Sequence, residues 1–129
     1  MQRATHTTLH ALSEQVADLA LTPAEINALA NLSDGKHRTV SELGRLVGAA
    51  PTTLTSVLDR LERRGHVTRA RHPYDRRAVL VELTPAGQRA ATTIQQAIGR
   101  LERRAFAALD TEAIAGLRAG LDALAEVDR

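Results

Sequence analysis

Basic side chains cluster in one short segment of the sequence, residues 72–77. Arg76 and Arg77 follow Asp75 directly. Guanidinium groups bind phosphate oxygens in pairs of hydrogen bonds, and the negative potential of a narrow minor groove attracts them. A carboxylate two positions from an arginine can hold its guanidinium in position by a charge-assisted hydrogen bond. The segment therefore indicates contact with a polyanion, with Asp75, Arg76 and Arg77 as candidate residues.

Short hydroxyl side chains form a second group, at the start of the segment that follows Pro51. Such side chains at the front of a helix can reach phosphates or base edges of DNA at close range. The same hydroxyls could instead serve only to start the helix, so this alternative stays open. Arg60 adds a cation, which we assign to phosphate. The candidate residues of this segment are Thr52, Thr53, Thr55, Ser56 and Arg60.

Charge is distributed unevenly along the 129 residues, although the net charge is only +2. Residues 36–104 carry fourteen basic and six acidic side chains, a net charge of +8. The segments on either side, 1–35 and 105–129, each carry a net charge of −3. A basic centre between acidic ends is typical of a module that binds a polyanion.

Composition excludes several classes of function. With no cysteine, the chain has no disulfide, thiol switch or cysteine-based zinc site. Aromatic residues are only 2%, which disfavours proteins that stack bases on aromatic side chains. A glycine-rich phosphate loop and a nucleophile motif are both absent, so we expect no enzyme. No apolar run is long enough to span a membrane and no signal-peptide pattern is present, so we expect a cytoplasmic protein.

Two histidines raise the alternative of a metal-responsive regulator. His6 and His10 are four residues apart and could share one face of a helix. A zinc site needs three or four ligands, and no third ligand is evident nearby. We therefore expect neither a metal site nor a cofactor.

The spacing of apolar residues predicts the elements that position these side chains. A seam at intervals of three and four predicts a helix over residues 8–20, and capping boxes at Thr22 and Thr39 start two further helices. Pro51 starts the next helix, which ends at Gly65. The apolar period then changes to two, which predicts a β-hairpin with the charged segment at its tip. Two more helices follow, over residues 88–108 and 111–127.

The segment from Leu21 to Gly87 resembles the MarR family of bacterial transcriptional regulators. The resemblance lies in the order and spacing of five pieces. They are LTPAEINAL at 21–29, TVSELGRLVG at 39–48, PTTLTSVLDRLERRGHVTR at 51–69, DRR at 75–77 and VELTPAG at 81–87. Two positions depart from the family pattern. Ala50 stands where a capping serine is common, and Ser56 stands where a larger basic residue is common.

The resemblance implies a mainly α fold with a small β-hairpin wing, in which a winged helix-turn-helix joins a helical dimerisation domain. The implied domains are an N-terminal dimerisation helix (1–20), the DNA-binding domain (21–87) and C-terminal dimerisation helices (88–129). The helix from Pro51 would be the recognition helix. Arg77 would enter the minor groove, with Asp75 as its buttress.

The implied partners are double-stranded DNA and a second copy of the chain. Members of the family usually repress transcription, and many release DNA when a small, often phenolic, molecule binds. Apolar seams on the terminal helices would leave too large an exposed patch on a monomer, which also favours a homodimer. The expected interface residues are Leu9, Leu12, Val16, Leu117, Leu121 and Leu124. A winged-helix interaction module that does not bind DNA remains an alternative.

Overall fold

The computed structural model describes residues 2–127, apart from the side chains of residues 2 and 4–6. Within this range the chain divides into two units, and the boundary between them in the sequence falls between Ile98 and Gly99. The elements in chain order are α1 (Gln2–Gln15), a 3₁₀ turn (Ala17–Leu19), α2 (Pro23–Leu32), β1 (Arg38–Thr39), α3 (Val40–Val47), α4 (Pro51–Arg63), β2 (Val67–Arg71), β3 (Val79–Leu83), α5 (Pro85–Phe106) and α6 (Thr111–Ala125).

The core of the first unit lies among α2, α3 and α4, which contact one another pairwise. Each helix contributes apolar residues at helical spacing, so that one face is covered and the other stays in solvent. Ala91 and Ile94, in the first half of α5, are also fully buried. The largest fully buried side chains are Ile26, Leu29, Leu32, Leu43, Leu54, Leu58, Leu61, Ile94, Val67 and Val81.

Capping side chains start α2 and α3, as the sequence predicts. At α3 the full capping box is present, because Thr39 and Glu42 each accept a hydrogen bond from the other's backbone N–H. At α2 only half of the predicted box forms. Thr22 accepts from the N–H of Glu25, but the Glu25 carboxylate accepts from the Thr22 hydroxyl, at 3.0 Å, instead of from the Thr22 backbone. The Glu25 carboxylate also meets arginines of α4, described below.

The predicted hairpin is confirmed, but the sheet has three strands rather than two. β2 and β3 pair antiparallel, from Val67 opposite Leu83 to Arg71 opposite Val79. The short strand β1 pairs with the other edge of β3, which gives the order β1-β3-β2. A two-residue strand shows no alternation of apolar and polar residues, and Thr39 also caps α3. The sequence pattern therefore predicted the helix start and missed the strand.

The first helix differs in its bounds from the predicted segment 8–20. It covers Gln2–Gln15, and a 3₁₀ turn over Ala17–Leu19 follows. Leu12 and Val16, two of the expected interface residues, are buried within the chain itself, and Leu9 is partly buried. Leu12 and Val16 therefore need no second subunit to cover them.

The second unit contains the end of α5 and all of α6. Asp110 caps α6, as predicted, because its carboxylate accepts the N–H of Ala113 at 2.7 Å. No residue of α6 is buried, and Leu117, Leu121 and Leu124 are 40–53% exposed. Among residues 2–127, no helix combines the length and apolar character that a membrane span requires.

Candidate nucleic-acid interface

The exposed face of α4 presents the predicted hydroxyl side chains. Pro51 begins the helix, and its apolar residues Leu54, Val57, Leu58 and Leu61 are buried against the core. Burial of this face turns the remaining positions outward, so Thr52, Thr53, Thr55 and Ser56 are all exposed. The Thr55 hydroxyl donates to the Pro51 carbonyl at 2.9 Å, which leaves its oxygen lone pairs able to accept.

The N-terminus of α4 has no side-chain cap. Ala50 occupies the N-cap position and has no group that could accept a hydrogen bond from the first turn. This agrees with the departure from the family pattern noted at Ala50. The first backbone N–H groups of the helix therefore remain available to an external acceptor such as a phosphate oxygen.

Arg60 faces a buried carboxylate of α2. Its Nε lies 3.3 Å from Oε1 of Glu25, and Nη1 of Arg64 lies 3.5 Å from Oε2 of the same residue. Glu25 is only 3% exposed, whereas both arginines are partly in solvent. Two guanidinium groups and the Thr22 hydroxyl compensate the cost of burying this charge. The contact with Glu25 thus orients Arg60 within the protein. Its predicted role at phosphate is separate from this contact.

Arg64 also joins α4 to the segment that precedes α2. It donates to the backbone carbonyls of Leu19 at 2.7 Å and Ala20 at 2.6 Å. Ala20 adopts a left-handed backbone conformation, with φ of 52°, that L-residues other than glycine seldom adopt. The end of α4, the start of α2 and the turn between α1 and α2 are therefore connected through one side chain.

Arg69 connects α4 to the wing. Its guanidinium donates to Asp59 and to Glu62, each at 2.6 Å, from the middle of β2. Burial disfavours the charged form of Arg69, but the hydrogen bonds to Asp59 and Glu62 outweigh it and hold the pKa of Arg69 above its usual value. Two charge-assisted hydrogen bonds from one planar group fix the wing strand at a set position against the helix.

The wing tip presents the three predicted residues, Asp75, Arg76 and Arg77, all exposed. Asp75 contacts Arg77, but through the backbone, because Oδ1 of Asp75 accepts the N–H of Arg77 at 3.0 Å. In the predicted contact the Arg77 guanidinium would donate to the Asp75 carboxylate, whereas in the structure the Arg77 backbone N–H donates to it. The carboxylate thus holds the backbone of the turn that carries Arg77, and the Arg77 side chain is exposed.

A concave surface joins the two groups of candidate residues. A cavity of about 660 Å³ is bordered by α3, α4 and the base of the wing. Thr55 lines it from α4, Arg69 from β2, and Asp75 and Arg77 from the wing. Thr55 thus faces one open groove together with residues that follow it by 14 to 22 positions in the sequence.

The structure describes the side chain of only one of the two histidines in the metal hypothesis, His10. His10 lies 3.7 Å from Glu14 on the exposed side of α1. The side chain of His6, its predicted partner, lies outside the described residues. Within the described part of the chain, no group of three or more histidine, aspartate or glutamate residues could hold a metal ion.

Sequence reasoning missed the contacts that Glu25, Arg64 and Arg69 make in this region. Glu25 was interpreted only as a capping residue, although a carboxylate beside Ile26 on the apolar side of α2 was a signal of a buried ion pair. The hydrogen bonds that Arg60 and Arg64 donate to Glu25, Leu19 and Ala20 join residues 35 to 45 positions apart in the sequence. Spacing on a single helix or strand cannot reveal contacts of that range.

Comparisons with known proteins agree with this geometry. A family model described as MarR family matches residues 19–78. The multiple antibiotic resistance protein MarR of Escherichia coli is 33% identical over 89 residues, which cover 69% of this chain and 62% of that protein. The uncharacterized HTH-type transcriptional regulator YcgE of Bacillus subtilis is 35% identical over 63 residues, 49% of this chain and 41% of that protein. The chain spans about half the length of these curated relatives.

Solved structures extend the likeness over nearly the whole chain. A crystal structure of a mutant E. coli MarR complexed with operator DNA matches with a TM-score of 0.81 and 27% identity, over 95% of this chain and 89% of that chain. A MarR family regulator from Silicibacter pomeroyi matches with a TM-score of 0.84 and 27% identity, over 96% and 84%. Residues 19–78 therefore match the MarR family of winged-helix transcriptional regulators, and the fold of nearly the whole chain is that of MarR structures.

Proposed function

We propose that this chain is a repressor that binds double-stranded DNA sequence-specifically, as a homodimer on an inverted repeat. The observation that carries the proposal is the groove shared by α4 and the wing, where Thr55, Asp75 and Arg77 face one concavity. A helix of this kind fits the major groove of DNA, and a basic hairpin beside it reaches the neighbouring minor groove. A protein that binds such a DNA partner would act in the cytoplasm.

The side chains divide by the part of DNA that each one reaches. We assign Thr52, Thr53, Thr55 and Ser56 to base edges and nearby phosphates of the major groove. Arg77 enters the minor groove, and Arg76 contacts the backbone beside it. Arg60 is exposed enough to meet a phosphate while it keeps its contact with Glu25.

The proposal of a homodimer is based on exposed apolar residues of the second unit. Leu117, Leu121 and Leu124 follow helical spacing on α6 and are about half exposed, so one apolar stripe is open to a partner helix. A second copy would supply an identical stripe, which is the simplest way to cover it in a symmetric assembly. Leu121→Asp should give monomeric or unfolded protein in light scattering. A stable, folded monomer of the unmodified chain would contradict the dimer.

We propose a small aromatic or phenolic acid as the effector that releases the DNA, on the strength of the family resemblance. Thermal unfolding in the presence of salicylate tests this part separately, because a ligand that binds the folded state raises Tm. The absence of any shift at millimolar salicylate would favour control by protein abundance alone.

Selection from a pool of random-sequence DNA duplexes tests the DNA-binding proposal directly. We expect enrichment of an inverted repeat whose half-site centres lie about 10 bp apart, one helical turn. Thr53→Ala should then change the preferred sequence more than it changes affinity for the unselected pool. Recovery of no common sequence from the wild-type protein would contradict sequence-specific binding.

A further inference from the structure

The wing tip buries little surface. Residues 73–77 are all exposed, and Tyr74 is 94% exposed. A segment with so little buried surface depends on hydrogen bonds for its conformation, because each ordered residue costs about 1–2 kcal/mol of backbone entropy. Side chains and backbone of the segment itself supply those hydrogen bonds.

His72 is the main acceptor at the start of this segment. Its Nδ1 accepts the backbone N–H groups of Tyr74 and Asp75, both at 3.1 Å. The His72 backbone N–H donates to the Ala78 carbonyl at 3.0 Å, which closes the segment at its base. Pro73 has no N–H and suits the second position of such a turn. One imidazole therefore satisfies the next two backbone donors after Pro73.

Asp75 repeats the arrangement three residues later. Its carboxylate accepts the N–H of Arg77, and its carbonyl accepts the N–H of Ala78 at 3.1 Å. His72 orders the backbone of Tyr74 and Asp75, and Asp75 then orders the backbone of Arg77. The position of Arg77 thus depends on two side-chain acceptors in series, of which His72 is the first.

The contact uses Nδ1 of the imidazole as an acceptor. The lone pair of this ring nitrogen faces both backbone N–H groups. The ring of Tyr74 lies edge-on to that of His72, with centroids 6.2 Å apart. His72 therefore acts here as an acceptor for two backbone N–H groups.

We propose that His72 is a positioning residue for DNA binding, which pre-orders the wing tip so that Arg77 is presented in its binding orientation. This inference rests on the proposed function, and it adds a residue that does not itself touch DNA. Ordering the tip in the free protein removes an entropic cost that would otherwise be met at binding. Loss of the acceptor should weaken binding even though every arginine of the wing remains.

Three substitutions at His72 separate an acceptor role from other roles. In His72→Asn the amide oxygen hangs from Cγ, as Nδ1 does in histidine, so it can accept the same two N–H groups. In His72→Gln the oxygen lies one bond farther out, and in His72→Ala it is missing. His10→Ala is the control, because it removes an exposed histidine of α1 far from the wing in sequence.

The experiment titrates each variant against a random-sequence duplex pool and measures amide hydrogen exchange at Tyr74 and Asp75. We expect His72→Ala to weaken binding about tenfold, the effect of one to two lost hydrogen bonds, and to lose protection at both amides. His72→Gln should resemble His72→Ala. His72→Asn should keep both amides protected and bind within about threefold of wild type, and His10→Ala should match wild type.

Two results would overturn the proposal. The first is unchanged binding and unchanged amide protection in His72→Ala. The second is a His72→Asn variant that protects both amides yet binds as weakly as His72→Ala, because the imidazole would then touch DNA itself. Failure of the wild-type protein to bind any duplex would instead contradict the proposed function, and the amide exchange would still decide whether His72 orders the tip.

Discussion

Arg69 of the wing and Asp59 of α4 are joined by a hydrogen bond of 2.6 Å between a guanidinium and a carboxylate. The same guanidinium reaches Glu62, one turn farther along the helix, at 2.6 Å. The two elements proposed to enter neighbouring grooves are thus tied together by one side chain. Their relative position determines whether Thr55 and Arg77 can reach DNA at the same time.

Arg69→Ala should weaken DNA binding more than it weakens the fold. The ion pairs are partly exposed, so we expect a loss of about 1 kcal/mol in the free energy of unfolding, measured in urea. Affinity for a duplex should fall about tenfold, because the wing is no longer held against α4. Arg71→Ala, at the end of the same strand, is the matched control for stability. Equal binding by wild type and Arg69→Ala would contradict the role of this contact.

Replacement of Glu25 should lower the free energy of unfolding, because its buried carboxylate pairs with two arginines. In Glu25→Ala, Arg60 and Arg64 lose their shared partner, and we expect a loss of about 2–3 kcal/mol in the free energy of unfolding. Glu14→Ala removes an exposed carboxylate of α1 and should change stability by less than about 0.5 kcal/mol. Chemical denaturation of both variants compares the two sites. Similar stability of both variants would show that the Glu25 cluster contributes little.

Gly87 allows α5 to begin directly against the turn between α4 and β2. A Cβ at this position would lie 1.9 Å from the carbonyl oxygen of His66, which is backbone and cannot rotate away. Gly87→Ala should therefore destabilise the protein by several kcal/mol, at the upper end of single substitutions, as measured by thermal unfolding. Gly99→Ala is the control in the same helix, where the added Cβ meets only the flexible end of Arg103, at 3.4 Å. That variant should be neutral or more stable, because alanine favours the helix.

Acid should weaken the fold in part through His66. Burial, and then repulsion by Arg64, lower the pKa of His66 below its usual 6.5, although Glu25 opposes them. Because the folded-state pKa is depressed, the contribution of His66 to stability is fully present above about pH 6.5. It is lost as the pH falls from there through the folded-state pKa, since the unfolded chain binds the proton more readily.

Urea unfolding of wild type and His66→Gln between neutral and mildly acidic pH measures this contribution. As the pH falls, the free energy of unfolding of wild type should decrease relative to that of His66→Gln. His10→Gln, which removes an exposed histidine of α1, is the control for loss of an imidazole. Parallel profiles for wild type and His66→Gln would contradict the prediction.

The elements that carry the interface could be predicted from local sequence signals. Pro51 and the apolar spacing of α4 determine where the helix begins and which face is exposed, so Thr52 and Thr53 were placed correctly on its outer side. The change of period after Gly65 predicted the hairpin. Asp110 and Thr39 predicted the starts of α6 and α3, because a capping side chain acts on the backbone only three residues away.

The contacts that hold these elements together could not be predicted in the same way. Glu25 meets Arg60 and Arg64 only after α2 packs on α4, and Arg69 meets Asp59 only after the wing folds back. The role of Asp75 depends on the backbone path of the tip, which places its carboxylate at an N–H rather than at a guanidinium. Such contacts follow from tertiary packing, which no single periodicity encodes.

Titration of Arg77→Ala and Asp75→Ala against a DNA duplex at two salt concentrations tests the central claim most directly. Arg77→Ala should weaken binding on every sequence and reduce the slope of log affinity against log salt by about one per subunit. Asp75→Ala should also weaken binding, because the carboxylate orders the Arg77 backbone, although its removal makes the surface more positive. Tighter binding by Asp75→Ala, or an unchanged salt slope in Arg77→Ala, would contradict a wing that presents Arg77 to DNA.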